Sequence, residues 1–303
     1  MADDEGGAIP ADGLADDLFE PLGPPLPPGR TIEVPGLGPV FLRDVAGPPN
    51  APVVVLLHGW TVTADLNWFA CYEPLGRRFR VIAPDLRGHG RGPRVRPFTL
   101  EACADDLALL LPELGIEHAI VVGYSMGGTI AQLMWHRHPE LVGGLVLCAT
   151  AASFRQNRQE HLSFLGLSGL ANLARLTPTP LRQWVADRYL ARRADAIEAW
   201  ALEEISRNDP AAVLEAGAAI GQFSSLDWIG ELDVPAAVLL TMTDNVIPLR
   251  RQLELHHAMP DAVVFRIDGR HDVVARQPDQ FVSALVQACT VVAERGRRAA
   301  QPR

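Results

Sequence analysis

A serine becomes a nucleophile only where a histidine can take its proton and a carboxylate can orient that histidine. The sequence offers one serine in a setting suited to that role. The run Val121-Val-Gly-Tyr-Ser-Met-Gly-Gly128 contains Gly-x-Ser-x-Gly as Gly123, Ser125 and Gly127. It follows an apolar, β-branched stretch and opens a helical one, which is the strand, turn and helix context such a nucleophile needs. A turn this tight forces strained backbone angles on Ser125. Its neighbours two positions away must then lack bulk, and glycine meets that demand. The five-residue pattern also occurs as a plain glycine turn, and its place behind a buried strand favours chemistry.

Four histidines follow the serine at a useful distance: His161, His256, His257 and His271. His161 falls in a helical region, and the adjacent His256 and His257 read as a helix end. His271 stands in Ile267-Asp-Gly-Arg-His271-Asp, directly after a strand-like run. The carboxyl ends of parallel strands are where such sheets place their sites, so His271 is the expected base. For the acid, Thr243-Asp244-Asn245 follows the run Ala236 to Met242, whereas the run ending near Cys148 is followed only by Ala149 and Thr150. Asp244 is therefore the expected orienter. Asp268 and Asp272 lie too close to His271 in sequence to hold it from behind. Acyl transfer also needs donors for the oxyanion. The N–H of Met126, next to the nucleophile, is one. The N–H of Trp60, in the turn His58-Gly59-Trp60-Thr61 after Val53 to Leu57, is the other. His58 itself reads as a structural side chain beneath that turn. Trp68, Phe164 and Phe223 are the expected pocket residues, with Asn67 and the Trp60 side chain nearby.

Positioning these groups requires several strands that end at one edge. Short apolar runs at Val53 to Leu57, Phe79 to Ala83, Ala119 to Val122 and Leu145 to Leu147 alternate with helical stretches at about 67–78, 99–114 and 126–138. That rhythm predicts an α/β fold with a mostly parallel central sheet and helices on both faces. Segments 30–35 and 38–45 read as a hairpin forming an antiparallel edge. The rhythm breaks over 151–230, which carries no strand pattern and reads as a helical lid. It resumes at Ala236 to Met242 and Ala262 to Ile267 and closes on a helix at about 278–294. The expected organisation is a loose Pro/Gly-rich leader over 1–29, a core of 30–150 and 231–294, the lid between them, and a loose tail over 295–303.

Taken together, His58-Gly59, Asp85-Leu-Arg-Gly-His-Gly90, the Ser125 turn, Asp244 and His271 resemble the α/β-hydrolase superfamily. The closest likeness is to its lidded esterase, lactonase, haloperoxidase-like and C–C-hydrolase branch. The resemblance covers about residues 30–292. It implies an α/β-hydrolase fold, a structural role for the Asp85 to Gly90 turn, and serine chemistry without a cofactor. Epoxide hydrolases and dehalogenases carry aspartate where Ser125 stands, so their chemistries are disfavoured.

Composition narrows the rest. The net charge of -9 argues against a nucleic-acid surface. All 27 basic residues are arginine, which removes Schiff-base lysine chemistry and the P-loop lysine. Four dispersed cysteines form no metal-ligand pair and read as buried thiols. The pairs His136/His138 and His256/His257 have spacings that point the rings apart on a helix, so no metal is expected. The acidic Met-Ala-Asp-Asp-Glu start is unlike a secretory signal. No stretch suits a membrane span, and a cytoplasmic protein with a small-molecule substrate is expected. The apolar run Leu162 to Leu170, with Trp184, Trp200, Phe223 and Trp228, points to a small-to-medium lipophilic substrate. Hydrolysis of a carboxylic ester through an acyl-enzyme is the leading reading. A lactonase, thioesterase or C–C hydrolase would use the same residues, and a low-turnover binding protein is the alternative from another class.

Overall fold

In the computed structural model, residues 23–154 and 196–300 are described. Eight strands form one sheet: β1 (Gly29–Val34), β2 (Gly38–Val45), β3 (Val53–Leu57), β4 (Arg80–Pro84), β5 (Ala119–Tyr124), β6 (Val142–Cys148), β7 (Ala236–Thr241) and β8 (Val263–Ile267). Their order is β1-β2-β4-β3-β5-β6-β7-β8. The β1–β2 hairpin is antiparallel to the rest, with Ile32 opposite Val40. Every later pairing is parallel. The helices are α1 (Ala64–Trp68), α2 (Tyr72–Gly76), α3 (Leu100–Glu113), α4 (Met126–Arg137), α5 (Ala196–Ser206), α6 (Pro210–Gln222), α7 (Leu249–Ala258), α8 (Val273–Arg276) and α9 (Pro278–Ala300).

Strand period two divides the core between the two faces. Along β3, Val55 and Leu57 join α3 and α4 in one cluster. Val54 and Leu56 join Trp68, Phe281 and the rest of the α9 face in the other. Among the described residues, no helix is long and apolar enough to cross a membrane.

The structure departs from the sequence pattern at several places. The expected helix at 67–78 is two short ones, α1 and α2. Strand β6 begins at Val142, earlier than the apolar run suggests, because Gly143 and Gly144 belong to it. A Cβ on Gly144 would lie 2.3 Å from Val292 Cγ1 of α9, so close helix–sheet contact explains the glycine. The segment 295–303, expected to be loose, continues α9 through Ala300. Arg297 and Arg298 in its last turn complement the helix dipole, and Arg295 donates to the Asp261 carbonyl at 2.8 Å. Residues 23–28 of the expected leader also touch the fold, with Gly23 against the Trp200 ring and Leu26 packed on the α9-side core. Residues 1–22 and 301–303 lie outside the described residues. So does 155–195 of the expected lid, together with Phe164 and Trp184. The described remainder of that region holds α5, α6 and a bridge between Ser153 and Ser224.

Candidate active site

Ser125 sits between β5 and α4 with φ 54° and ψ −115°. A non-glycine residue in this region costs on the order of 1–3 kcal/mol and persists only where its surroundings fix it. Here the Ser125 N–H donates to Cys148 O at 2.9 Å, while Thr150 Oγ1 and Gly128 N–H donate to Ser125 O at 2.8 and 2.9 Å. The flanking glycines answer to space as well as angle. A Cβ on Gly123 would lie 2.2 Å from Gly127 O, and one on Gly127 would lie 2.1 Å from Leu57 O.

His271, in the loop after β8, brings Nε2 within 3.0 Å of Ser125 Oγ, while its Nδ1 lies 2.8 Å from Asp244 Oδ2. A carboxylate can only accept, so Nδ1 carries the hydrogen and the Nε2 lone pair faces the serine hydroxyl. Tyr124 Oη donates to the His271 carbonyl at 2.6 Å and ties the loop to the end of β5. Asp244, in the loop after β7, has a fully buried side chain. Its Oδ1 accepts the Val246 and Ile247 N–H groups, each at 2.8 Å, and its Oδ2 accepts Thr241 Oγ1 at 2.8 Å. Burial by itself would raise the pKa of this carboxyl. The hydrogen bond and charge of His271, followed by these further donors, outweigh it and hold the pKa below the ordinary value.

Behind Asp244 lies a residue that motif reasoning missed. Gln252 of α7 is fully buried and donates through Nε2 to Thr241 Oγ1 at 2.7 Å and to Ile247 O at 2.8 Å. Its Oε1 accepts the Thr241 N–H at 2.9 Å. Because the Thr241 oxygen accepts from Gln252, its own hydrogen is directed at Asp244.

The loop after β3 packs against the Ser125 turn, with an ideal Cβ on Gly59 lying 3.7 Å from Ser125 Cβ. Met126 is the first residue of α4, so its N–H has no acceptor within the helix. The peptide that carries the Trp60 N–H has its carbonyl on Gly59, 2.8 Å from His58 Nδ1. His58 Nε2 accepts the Leu86 N–H at 3.0 Å, which makes Nδ1 the protonated nitrogen and Gly59 O its acceptor. Burial drives the His58 pKa down to about 4, so the ring is neutral at ordinary pH. The preceding peptide is held by Asn67 Oδ1, which accepts the Gly59 N–H at 3.0 Å.

The structure places two of the expected pocket residues in buried clusters. Trp68 is fully buried and packs edge-on against Tyr124 at 6.1 Å and beside Phe281 at 6.3 Å, within the core on the α9 face. Phe223 caps α6 and packs between Phe154 and Trp228, each at 6.4 Å, in the opposite core. Trp68 therefore serves packing. A run of aromatic residues near a site in sequence does not distinguish pocket wall from core. The Trp60 indole N–H donates to Val213 O at 2.8 Å and so belongs to the contact with α6.

Comparison with known proteins agrees with this architecture. Residues 52–275 match the model of a family described as alpha/beta hydrolase fold. A pimeloyl-[acyl-carrier protein] methyl ester esterase of Aromatoleum aromaticum is 35% identical over 236 residues, covering 72% of this chain and 90% of the relative. Its counterpart in Chromobacterium violaceum is 30% identical over 247 residues, covering 78% and 94%. Among solved structures, the enol-lactonase from Burkholderia xenovorans LB400 superposes with a TM-score of 0.69 at 25% identity, covering 86% of this chain and all of that one.

Proposed function

The chain belongs to the alpha/beta hydrolase fold family, and from that membership we propose that it cleaves carboxylic esters of small-to-medium lipophilic substrates through an acyl-enzyme on Ser125. The observation that carries the reading is the continuous chain of hydrogen bonds from Ser125 Oγ through His271 to Asp244. His271 Nε2 takes the serine proton as Oγ attacks the ester carbonyl, and Asp244 steadies the imidazolium that forms. The Met126 and Trp60 N–H groups receive the oxyanion. His271 then returns the proton to the departing alcohol. In the second half, His271 deprotonates water, which attacks the acyl carbon and frees Ser125.

The two ester-cleaving relatives support an ester as the bond broken. A lactone is a cyclic ester opened by the same steps, and the enol-lactonase neighbour supports that second reading. A cytoplasmic setting is part of the proposal, supported by four cysteines that are all buried and unpaired.

The test is a fluorophosphonate probe together with a panel of p-nitrophenyl esters and γ-lactones. Wild-type protein labels at Ser125 and turns over part of the panel, and Ser125→Ala loses labelling and on the order of 10⁴-fold or more in kcat. Turnover unchanged in Ser125→Ala, or no labelling of wild type, would overturn the mechanism. Preference between open-chain esters and lactones decides between the two readings.

A further inference from the structure

We propose that Asn208, on the turn between α5 and α6, is a positioning residue for the oxyanion loop, holding the Thr61 carbonyl two peptides along from the one that carries the Trp60 N–H. The inference rests on the ester-hydrolase reading above and adds to it a residue remote from every motif.

Asn208 is buried, and both ends of its amide are engaged. Nδ2 donates to Thr61 O at 2.7 Å, and Oδ1 accepts the Gly90 N–H at 2.8 Å. One end meets a carbonyl and the other an N–H, so the amide has only one orientation that satisfies both. Thr61 needs such a hold. Its φ is +67°, a region that β-branched residues rarely adopt and that persists only where the surroundings over-determine it. Gly90 closes the Asp85 to Gly90 turn, whose Asp85 accepts the Ala64 and Arg91 N–H groups, each at 2.8 Å. Asn208 therefore ties the oxyanion loop to a rigid part of the core.

Its own backbone is fixed by its neighbour, since the Asp209 N–H donates to Gly88 O at 2.8 Å. Two further bonds join the same stretch to the same loop. The Trp60 indole donates to Val213 O, and Thr63 Oγ1 donates to Glu204 Oε2 at 2.7 Å. Those two hold side chains of the loop, whereas Asn208 holds its backbone. From the core side, His58 and Asn67 fix the peptides on either side of Gly59. From the α5–α6 side, Asn208 fixes the peptide after Thr61, two along from the one that carries the Trp60 N–H. An oxyanion donor works only where it stands ready before the charge develops, so a loosened Thr61 lowers the rate of the chemical step more than substrate binding.

Asn208→Asp separates the two bonds. Its carboxylate still accepts the Gly90 N–H but cannot donate to Thr61 O, and it repels that carbonyl. Leu214→Ala, at an exposed position of α6, is the control. With p-nitrophenyl butyrate, Asn208→Asp is expected to lose about 10- to 100-fold in kcat with KM within about twofold. The inhibition constant of a trifluoromethyl ketone, whose serine adduct places an oxyanion in the hole, should rise in step. An unchanged kcat, a loss confined to KM, or an equal loss in Leu214→Ala overturns the proposal. Should wild type neither label with the fluorophosphonate nor turn over any ester, the ester reading fails. The positioning inference is then read from the ¹⁵N amide resonances of Gly59, Trp60 and Thr61. Those must move in Asn208→Asp and stay in Leu214→Ala, and unmoved resonances in the first variant overturn it.

Discussion

Acid should weaken this fold through His58, by an amount the structure sets. The ring is fully buried, donates from Nδ1 to Gly59 O, accepts the Leu86 N–H at Nε2, and has its pKa pushed down to about 4 from 6.5. A second proton would have to sit at Nε2, facing an N–H, and the ring beside it is another buried imidazole, His89, at 5.4 Å. Above pH 6.5 the ring is neutral in both folded and unfolded chains, and the stability it confers is complete. As pH falls below 6.5 the unfolded chain takes up a proton that the folded one refuses, so stability declines until the folded ring titrates near pH 4. Each pH unit in that window is worth about 1.4 kcal/mol, so the fall to pH 4.5 removes about 2.5 kcal/mol.

Buried carboxylates such as Asp244 and Asp65, whose pKa values are held low, add acid sensitivity of their own at lower pH. The His58 part is isolated by comparison with His58→Asn, whose amide nitrogen can replace the Nδ1 donor but not the Nε2 acceptor. At pH 7.5 the variant should be about 1–3 kcal/mol less stable in urea unfolding followed by tryptophan fluorescence, because the Leu86 N–H is left unsatisfied. At pH 4.5 the gap should close by about 2.5 kcal/mol. A gap that is the same at both pH values would refute the assignment of His58 as the buried neutral anchor.

Two further outcomes follow from the site. Asp244→Asn removes the acceptor that fixes the His271 tautomer, so kcat on p-nitrophenyl esters should fall by on the order of 10⁴-fold while folding persists; a loss below tenfold would remove Asp244 from the triad. Gly127→Ala sets a Cβ about 2.1 Å from Leu57 O, a clash between two backbones that cannot be relieved by a rotamer. It should cost more than about 3 kcal/mol in urea unfolding or prevent folding, and a variant as stable as wild type would contradict the packing of β3 against the Ser125 turn.

Legibility in the sequence followed the range of the interaction. The parallel strands were readable because burial on both faces leaves continuous apolar runs such as Val53 to Leu57, and Ser125 because its turn needs glycines at fixed offsets. Asp244 and His271 were readable as residues just past two later strands. Gln252 and Asn208 were not, because each acts on partners that only folding brings near, and an Asn or Gln in a helical stretch carries no local pattern. His58 was legible as structural, but its two hydrogen bonds and depressed pKa require the Leu86 N–H, a partner 28 residues away. Trp68 was misread since an aromatic beside Asn67 satisfies the sequence equally well as core. The two glycines that open β6 hid its start, for they serve close packing instead of strand propensity.

The order of strands poses a problem of reach that the loops must solve. Ser125 ends β5, Asp244 follows β7 and His271 follows β8, and β8 stands three places from β5 in the sheet. At roughly 4.8 Å per strand that is about 14 Å, yet His271 Nε2 lies 3.0 Å from Ser125 Oγ. The loop after β8 therefore has to fold back over the ends of β7 and β6. Two tethers hold it there: the Thr243 N–H donates to Gly269 O at 3.1 Å, and Tyr124 Oη donates to His271 O. Strand β6 must stay out of the way, and it ends in Cys148 followed by Ala149 at φ +47° and Thr150, which turns its hydroxyl to the Ser125 carbonyl. Only Ala149 and Thr150 follow β6 before the chain turns away, and the carboxylate that meets the imidazole is the one after β7.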